Sequence, residues 1–120
     1  MEESAEKRRF KRVPLSLPVS GKYHQKLFRG THFQGETQDV SYYGLCIRVA
    51  NSNGYRIGQG VKLKTRLYKG DFSIKIQGVV CWINERSEDD RPILIGVSLT
   101  RIRRFGLWCE RIEQKLMYTS

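Results

Sequence analysis

Two stretches of this chain hold residue types that can do chemistry together. The first is Arg8-Arg9-Phe10-Lys11-Arg12, which sets Arg8 and Arg12 four residues apart beside further positive charge. A guanidinium offers a planar fork of donors that suits phosphate oxygens and the O6/N7 edge of guanine. Taken alone, the stretch also reads as a solvated tail that attracts anions without selectivity. The second is Asp39-Val40-Ser41-Tyr42-Tyr43-Gly44, where a strand stops at an acid, turns, and restarts at a glycine. Its plain reading is an Asx or Ser turn, with Asp39 bonding backbone N–H groups and Gly44 supplying unusual dihedral angles.

Enzyme signatures are missing. The two histidines, His24 and His32, have no acidic or cysteine partner at metal spacing. Ser41 does not sit in a Gly-x-Ser-x-Gly elbow, and no glycine-rich phosphate loop ends in Lys-Ser or Lys-Thr. Asp89-Asp90 lies among Ser87, Glu88 and Arg91, which reads as a solvated loop. The three cysteines, Cys46, Cys81 and Cys109, form no Cys-x-x-Cys pair and read as small buried thiols. A non-catalytic, metal-free domain is the expectation.

The elements that must position the two stretches are mostly strands. At 120 residues the chain suits one domain, and 39% hydrophobic with 28% charged residues is globular composition. No apolar run is long enough to span a membrane, and Met1-Glu2-Glu3-Ser4 does not resemble a signal peptide, so a cytoplasmic protein is expected. Lysine and arginine total 22 against 12 acids, a net charge of +10 that favours anionic partners.

Residues 1–12 lack an alternating pattern and read as a flexible basic arm. From Val13 the period is two. Val13, Leu15, Leu17 and Val19 share a face, with Pro14 and Pro18 on the other. Lys26–Thr31 reads as a locally paired stretch and Phe33–Val40 as a strand. Gly44–Ala50 sends Leu45, Ile47 and Val49 one way. Asn51-Ser52-Asn53-Gly54 is turn chemistry, Val61–Leu67 alternates strictly, and Lys69-Gly70-Asp71 reads as a hairpin turn. Phe72, Ile74 and Ile76 resume the alternation, which breaks at Gln77-Gly78 and predicts a bulge. Pro92–Leu99 is the last predicted strand.

The period then changes. Ile102, Phe105, Trp108 with Cys109, Ile112 and Leu116 form one apolar stripe of a helix at about 103–118, with Trp108 as a core plug. Short strands at even spacing with one terminal helix predict a mainly β fold, a small antiparallel barrel over residues 13–120.

Motif by motif, the chain resembles the PilZ domain family, whose members bind the bacterial second messenger cyclic di-GMP. Glu6–Val13 resembles the family's arginine loop, and Asp39-x-Ser41-x-x-Gly44 its second motif. Gly58-Gln59-Gly60-Val61 resembles its mid-barrel turn. Gly78-Val79-Val80-Cys81-Trp82 resembles its Gly-x-Val-x-Trp strand. Ile95-Gly96-Val97-Ser98-Leu99 resembles its closing strand, with leucine for the usual aromatic.

The resemblance implies a six-stranded antiparallel barrel of the split-barrel type. It implies a receptor for cyclic di-GMP, a ligand with no other cofactor. It assigns Arg8 and Arg12 to a guanine edge and a phosphate, with Arg9 as a helper. It assigns Asp39 to guanine N1–H and N2–H₂, Ser41 to a phosphate, and Gly44 to close backbone approach. The donor and acceptor types agree with those roles.

Tyr42 and Tyr43 depart from the family's smaller residues, and either ring packs at the rim or stacks on guanine. Arg48 faces the ligand or solvent. The arm would order over the ligand and so change a surface offered to a protein partner. Two other readings compete with it: a nucleic-acid-binding barrel, disfavoured because Asp39 would repel a phosphate backbone, and a PilZ-type adaptor that binds no nucleotide.

Overall fold

In the computed structural model, the residues described are 12–25, 28–49, 55–68, 70, 72–84 and 93–119. Seven strands precede one helix: β1 (Val13–Pro14), β2 (Pro18–Gln25), β3 (Phe28–Val40), β4 (Gly44–Val49), β5 (Gly60–Thr65), β6 (Ile74–Asn84), β7 (Ile93–Ile102) and α1 (Phe105–Thr119). All pairings are antiparallel. The order β3-β2-β5-β6-β7-β4 closes through a β3–β4 pairing into a six-stranded barrel, as expected.

The short β1 runs along the same edge of β3 as β2, so the predicted strand from Val13 to Val19 is real but interrupted. The interruption belongs to Thr37. Its buried hydroxyl accepts from the Leu17 N–H at 2.9 Å and donates to the Leu15 carbonyl. That side chain replaces ladder bonds the backbone would otherwise make.

Inside the barrel, alternation delivers one continuous apolar core. Val13, Val40, Ile47, Ile74, Ile76, Val80, Ile95 and Ile112 are almost wholly excluded from water. The parity break at Gln77-Gly78 coincides with an irregularity in the β6–β7 register, as predicted. A second irregularity, at Val80/Trp82, was not foreseen. It puts Trp82, which would otherwise share the inward parity of Val80, on the outer face; Cys81, next to Val80, is exposed, Cys46 is buried and Cys109 half-buried. The expectation of three buried thiols is corrected accordingly. Phe72 is corrected as well: it lies outside the strand, 65% exposed, beneath the Arg104 guanidinium.

Residues 28–31, read as a local pair, form the start of the long β3, and Gln25 pairs with Phe28. The segments 26–27, 50–54 and 85–92 lie outside the described residues, as do Lys69 and Asp71 of the predicted turn, and Gly70 has φ 84°.

The helix begins two residues later than expected and ends at Thr119. Arg103 still donates to the Lys75 carbonyl and prolongs the sheet, and Arg104 turns the chain at φ 61°. Trp108 and Ile112 enter the core, while Phe105 lies at the rim. No helix among the described residues is long and apolar enough to cross a membrane.

Candidate functional site

The second motif is set on the barrel wall by a bulge. β3 and β4 pair Thr37 with Ile47 and then Asp39 with Cys46, so Gln38 is an extra residue in β3. An extra residue lets two neighbours share one face. Thr37 and Val40 therefore point into the core, while Gln38 and Asp39 face outward. Without the bulge, Asp39 would share Thr37's parity and enter the apolar interior.

The first motif reaches the same place through β1. Pro14 pairs with Asp39, and Arg12 lies just before β1. Its guanidinium is 3.5 Å from the Asp39 carboxylate, with Arg12 59% exposed and Asp39 22% exposed. A pair so open to water contributes only ~0–1 kcal/mol, so exchanging it for other contacts costs little. Partial burial raises the Asp39 carboxyl above its usual value, and the Arg12 charge offsets only part of that. Arg8 and Arg9 lie outside the described residues.

Ser41 and Gly44 hold the turn between β3 and β4. The Gly44 carbonyl accepts from the Ser41 N–H at 2.9 Å and from the Ser41 hydroxyl at 3.3 Å. Gly44 does not have the positive φ that its turn position suggested; among the described residues only Gly58, Gly70 and Arg104 do. A side chain there would put Cβ 3.3 Å from the Ser41 hydroxyl, so the glycine keeps room beside it.

The helix braces this turn. The buried Trp108 indole N–H donates to the carbonyls of Ser41 and Tyr42, at 3.2 and 3.1 Å. The Tyr42 hydroxyl donates to Glu113 at 2.5 Å. That bond, first among the causes, pushes the phenol up to about 12. Tyr43 stacks on Phe105 with ring centres 5.4 Å apart. Both tyrosines thus pack the rim against the helix. Arg48 is exposed and donates to Gln38 at 3.4 Å, which places it on the Asp39 face.

One residue of this face escaped the sequence reading. The register joins Asp39 to Cys46, Cys46 to Gly96 and Gly96 to Trp82, a single row across four strands. Between the acid and the indole stand only a thiol and a glycine. A Cβ on Gly96 would come within 2.0 Å of Trp82 Nε1, so the ring lies directly on that glycine. The signal was present in Gly-x-Val-x-Trp, but only the register shows which face the indole occupies. The Cys46 thiol, buried in the same row, is held above its usual value by burial and the nearby Asp39 charge. Among the described residues no three His, Cys, Asp or Glu side chains are grouped to hold a metal.

A family model described as PilZ domain matches residues 6–106, a span that includes both motifs and every strand. The chain belongs to the PilZ domain family. No curated protein sequence matches it. Among solved structures, the Bacillus subtilis inhibitor of motility (MotI/DgrA) superimposes with TM-score 0.66 at 17% identity, covering 89% of this chain. The present chain spans about half of that protein, 51% of its length. The PilZ domain of YcgR from Escherichia coli, solved with c-di-GMP, superimposes with TM-score 0.58 at 14% identity, covering 93% of this chain and 89% of that one. At such identities the likeness is one of fold, and it agrees with the closed six-stranded barrel and terminal helix of this PilZ chain.

Proposed function

We propose that this PilZ domain is a non-catalytic receptor for cyclic di-GMP. The observation that carries the reading is the meeting of the two motifs: the bulge at Gln38 turns Asp39 onto the outer face, and β1 delivers Arg12 to it at 3.5 Å. The ligand combines guanine donors, guanine acceptors and two phosphates, and the residues offer the matching types. Asp39 accepts from N1–H and N2–H₂. Arg12, joined by Arg8 and Arg9, donates to O6/N7 and to phosphate.

Ser41 can serve a phosphate at little cost. Its hydroxyl and its amide both donate to the Gly44 carbonyl, so rotation of the hydroxyl leaves that carbonyl paired. Gly44 keeps the turn open beside it. Trp82, at the far end of the row, borders the shallow floor over Gly96 and Cys46 and offers a ring to a base. The YcgR domain, which shares this fold, was solved with c-di-GMP.

The receptor acts by closing. The dianion relieves repulsion among Arg8, Arg9, Lys11 and Arg12 and draws residues 1–12 over the barrel, which changes the surface a protein partner meets. The ligand can shift that equilibrium only by its tighter binding to the closed form. Hydrogen exchange with and without cyclic di-GMP tests the step. Amides up to Val13 gain protection with ligand; identical exchange in both states removes the arm from the mechanism.

A further inference from the structure

A second charged face lies away from the Asp39 site. It is a shallow concavity of about 660 Å³ on the outside of the barrel, over β2, β3, β5, β6 and β7. Its floor is built from two cross-strand rows. One runs His32, Lys22, Lys62, Gln77 and Arg101, each paired with the next. The other runs Gln34, Ser20, Lys64 and Lys75, and Arg103 adjoins it by donating its N–H to the Lys75 carbonyl. Lys22, Lys62, Lys64, Lys75, Arg101 and Arg103 are all exposed. No acid lines the concavity, and among the described residues none of these cations forms an ion pair.

The pairing is unfavourable in the isolated domain. Lys22 stands directly opposite Lys62, and Lys64 directly opposite Lys75. Like charges facing each other across a sheet destabilise it. An anion laid over the rows would turn each repulsive pair into a two-pronged contact.

We infer that this face docks an acidic helical segment of a protein partner. Four observations select that occupant. Concavity fits a convex rod and not a flat bilayer. No exposed Phe, Tyr or Trp lines the face and His32 stands alone at one end, although single-stranded nucleic acid is held largely by successive stacked rings. Ser20, Gln34 and Gln77 place uncharged hydrogen-bonding groups among the cations, in reach of carboxylates. The spacing also fits. At ~4.8 Å per strand, five strands span about 19 Å, and glutamates three or four apart on a helix stand ~5–6 Å from one another. A 19 Å row therefore matches about 13 residues of helix at ~1.5 Å each. The inference does not depend on nucleotide binding.

The test is fluorescence anisotropy with a labelled alanine-based helical peptide of about 14 residues, ~20 Å long, bearing glutamate at every third or fourth position. Lys62→Gln/Lys75→Gln removes one cation from each row and one from each repulsive pair. Arg48→Gln/Arg56→Gln removes equal charge elsewhere. The account expects the first pair to weaken peptide binding about tenfold and the second to leave it within about twofold. It also expects Lys62→Gln/Lys75→Gln to melt at or above the unaltered protein, because repulsion is relieved, which separates lost binding from lost fold. Equal weakening by both pairs would reduce the effect to net charge and overturn the inference. So would absence of peptide binding, or tighter binding of an oligonucleotide of equal length or of phosphatidylserine vesicles.

Discussion

Replacing Trp108 by phenylalanine tests whether the helix holds the ligand-facing turn. The indole is wholly buried, and its N–H is shared by the carbonyls of Ser41 and Tyr42. Phenylalanine keeps most of the packing and removes the donor. Two carbonyls then lose a partner in a dry setting, at ~1–3 kcal/mol. The smaller ring leaves a void that adds about 1 kcal/mol. The sum, about 2–4 kcal/mol, is a large share of the ~5–15 kcal/mol that holds a domain together. With a urea slope of ~2 kcal/mol per molar, the middle of the range for small proteins, the unfolding midpoint falls by roughly 1–2 M. Tyr42→Phe is the internal comparison. It breaks an exposed hydrogen bond to Glu113 and should move the midpoint far less. Affinity for cyclic di-GMP should fall in Trp108→Phe even where the protein is fully folded. A midpoint within about 0.2 M of the parent, with affinity intact, would refute the idea that the indole organises the turn.

Other expectations follow from the titrating groups. The Asp39 carboxyl is raised by burial more than Arg12 lowers it, so the folded state holds its proton more tightly than the unfolded state. Its contribution to stability is therefore full below the ordinary value of 3.8 and is lost as pH rises through the raised value. Asp39→Asn should match or exceed the parent's melting temperature at neutral pH, the gap closing under acid, while nucleotide binding weakens about tenfold or more; a clear loss of stability at pH 7 would contradict this. Tyr55, half-buried against Tyr23, is pushed up to about 12, as is the hydrogen-bonded Tyr42. Both contributions are present below about 10 and fade towards 12. Ultraviolet titration of folded protein should show tyrosines ionising near the upper figure, one fewer in Tyr55→Phe.

The parts of the fold legible in the sequence were those where burial and alternation agree. Strict alternation at Val61–Leu67 marked β5, and the parity failure at Gln77-Gly78 marked a true register shift. The helix stripe correctly buried Trp108 and Ile112. What alternation could not show was pairing. The strand from Ser20 to Gln25 carries no alternating signal, because Gly21, Lys22, His24 and Gln25 offer no apolar mark around the buried Tyr23. The bulge at Gln38 was hidden because polar residues stand on both sides of the slip. The Ser turn expected at Ser41 agrees with its hydroxyl bond to the Gly44 carbonyl, but nothing in the sequence marks how far that residue is buried. Trp82 was read as a strand marker, and only the row through Gly96 and Cys46 puts it on Asp39's face.

The central claim is that residues far apart in the chain converge on one dinucleotide. Isothermal titration of the full chain with cyclic di-GMP, alongside Arg12→Ala and Asp39→Ala, tests it most directly. The account predicts saturable heat with a defined stoichiometry in the parent, and about tenfold or greater weakening in each variant, since charged hydrogen bonds contribute ~1.5–3 kcal/mol apiece. Dilution heat alone at millimolar nucleotide, or variants that bind as the parent does, would contradict it.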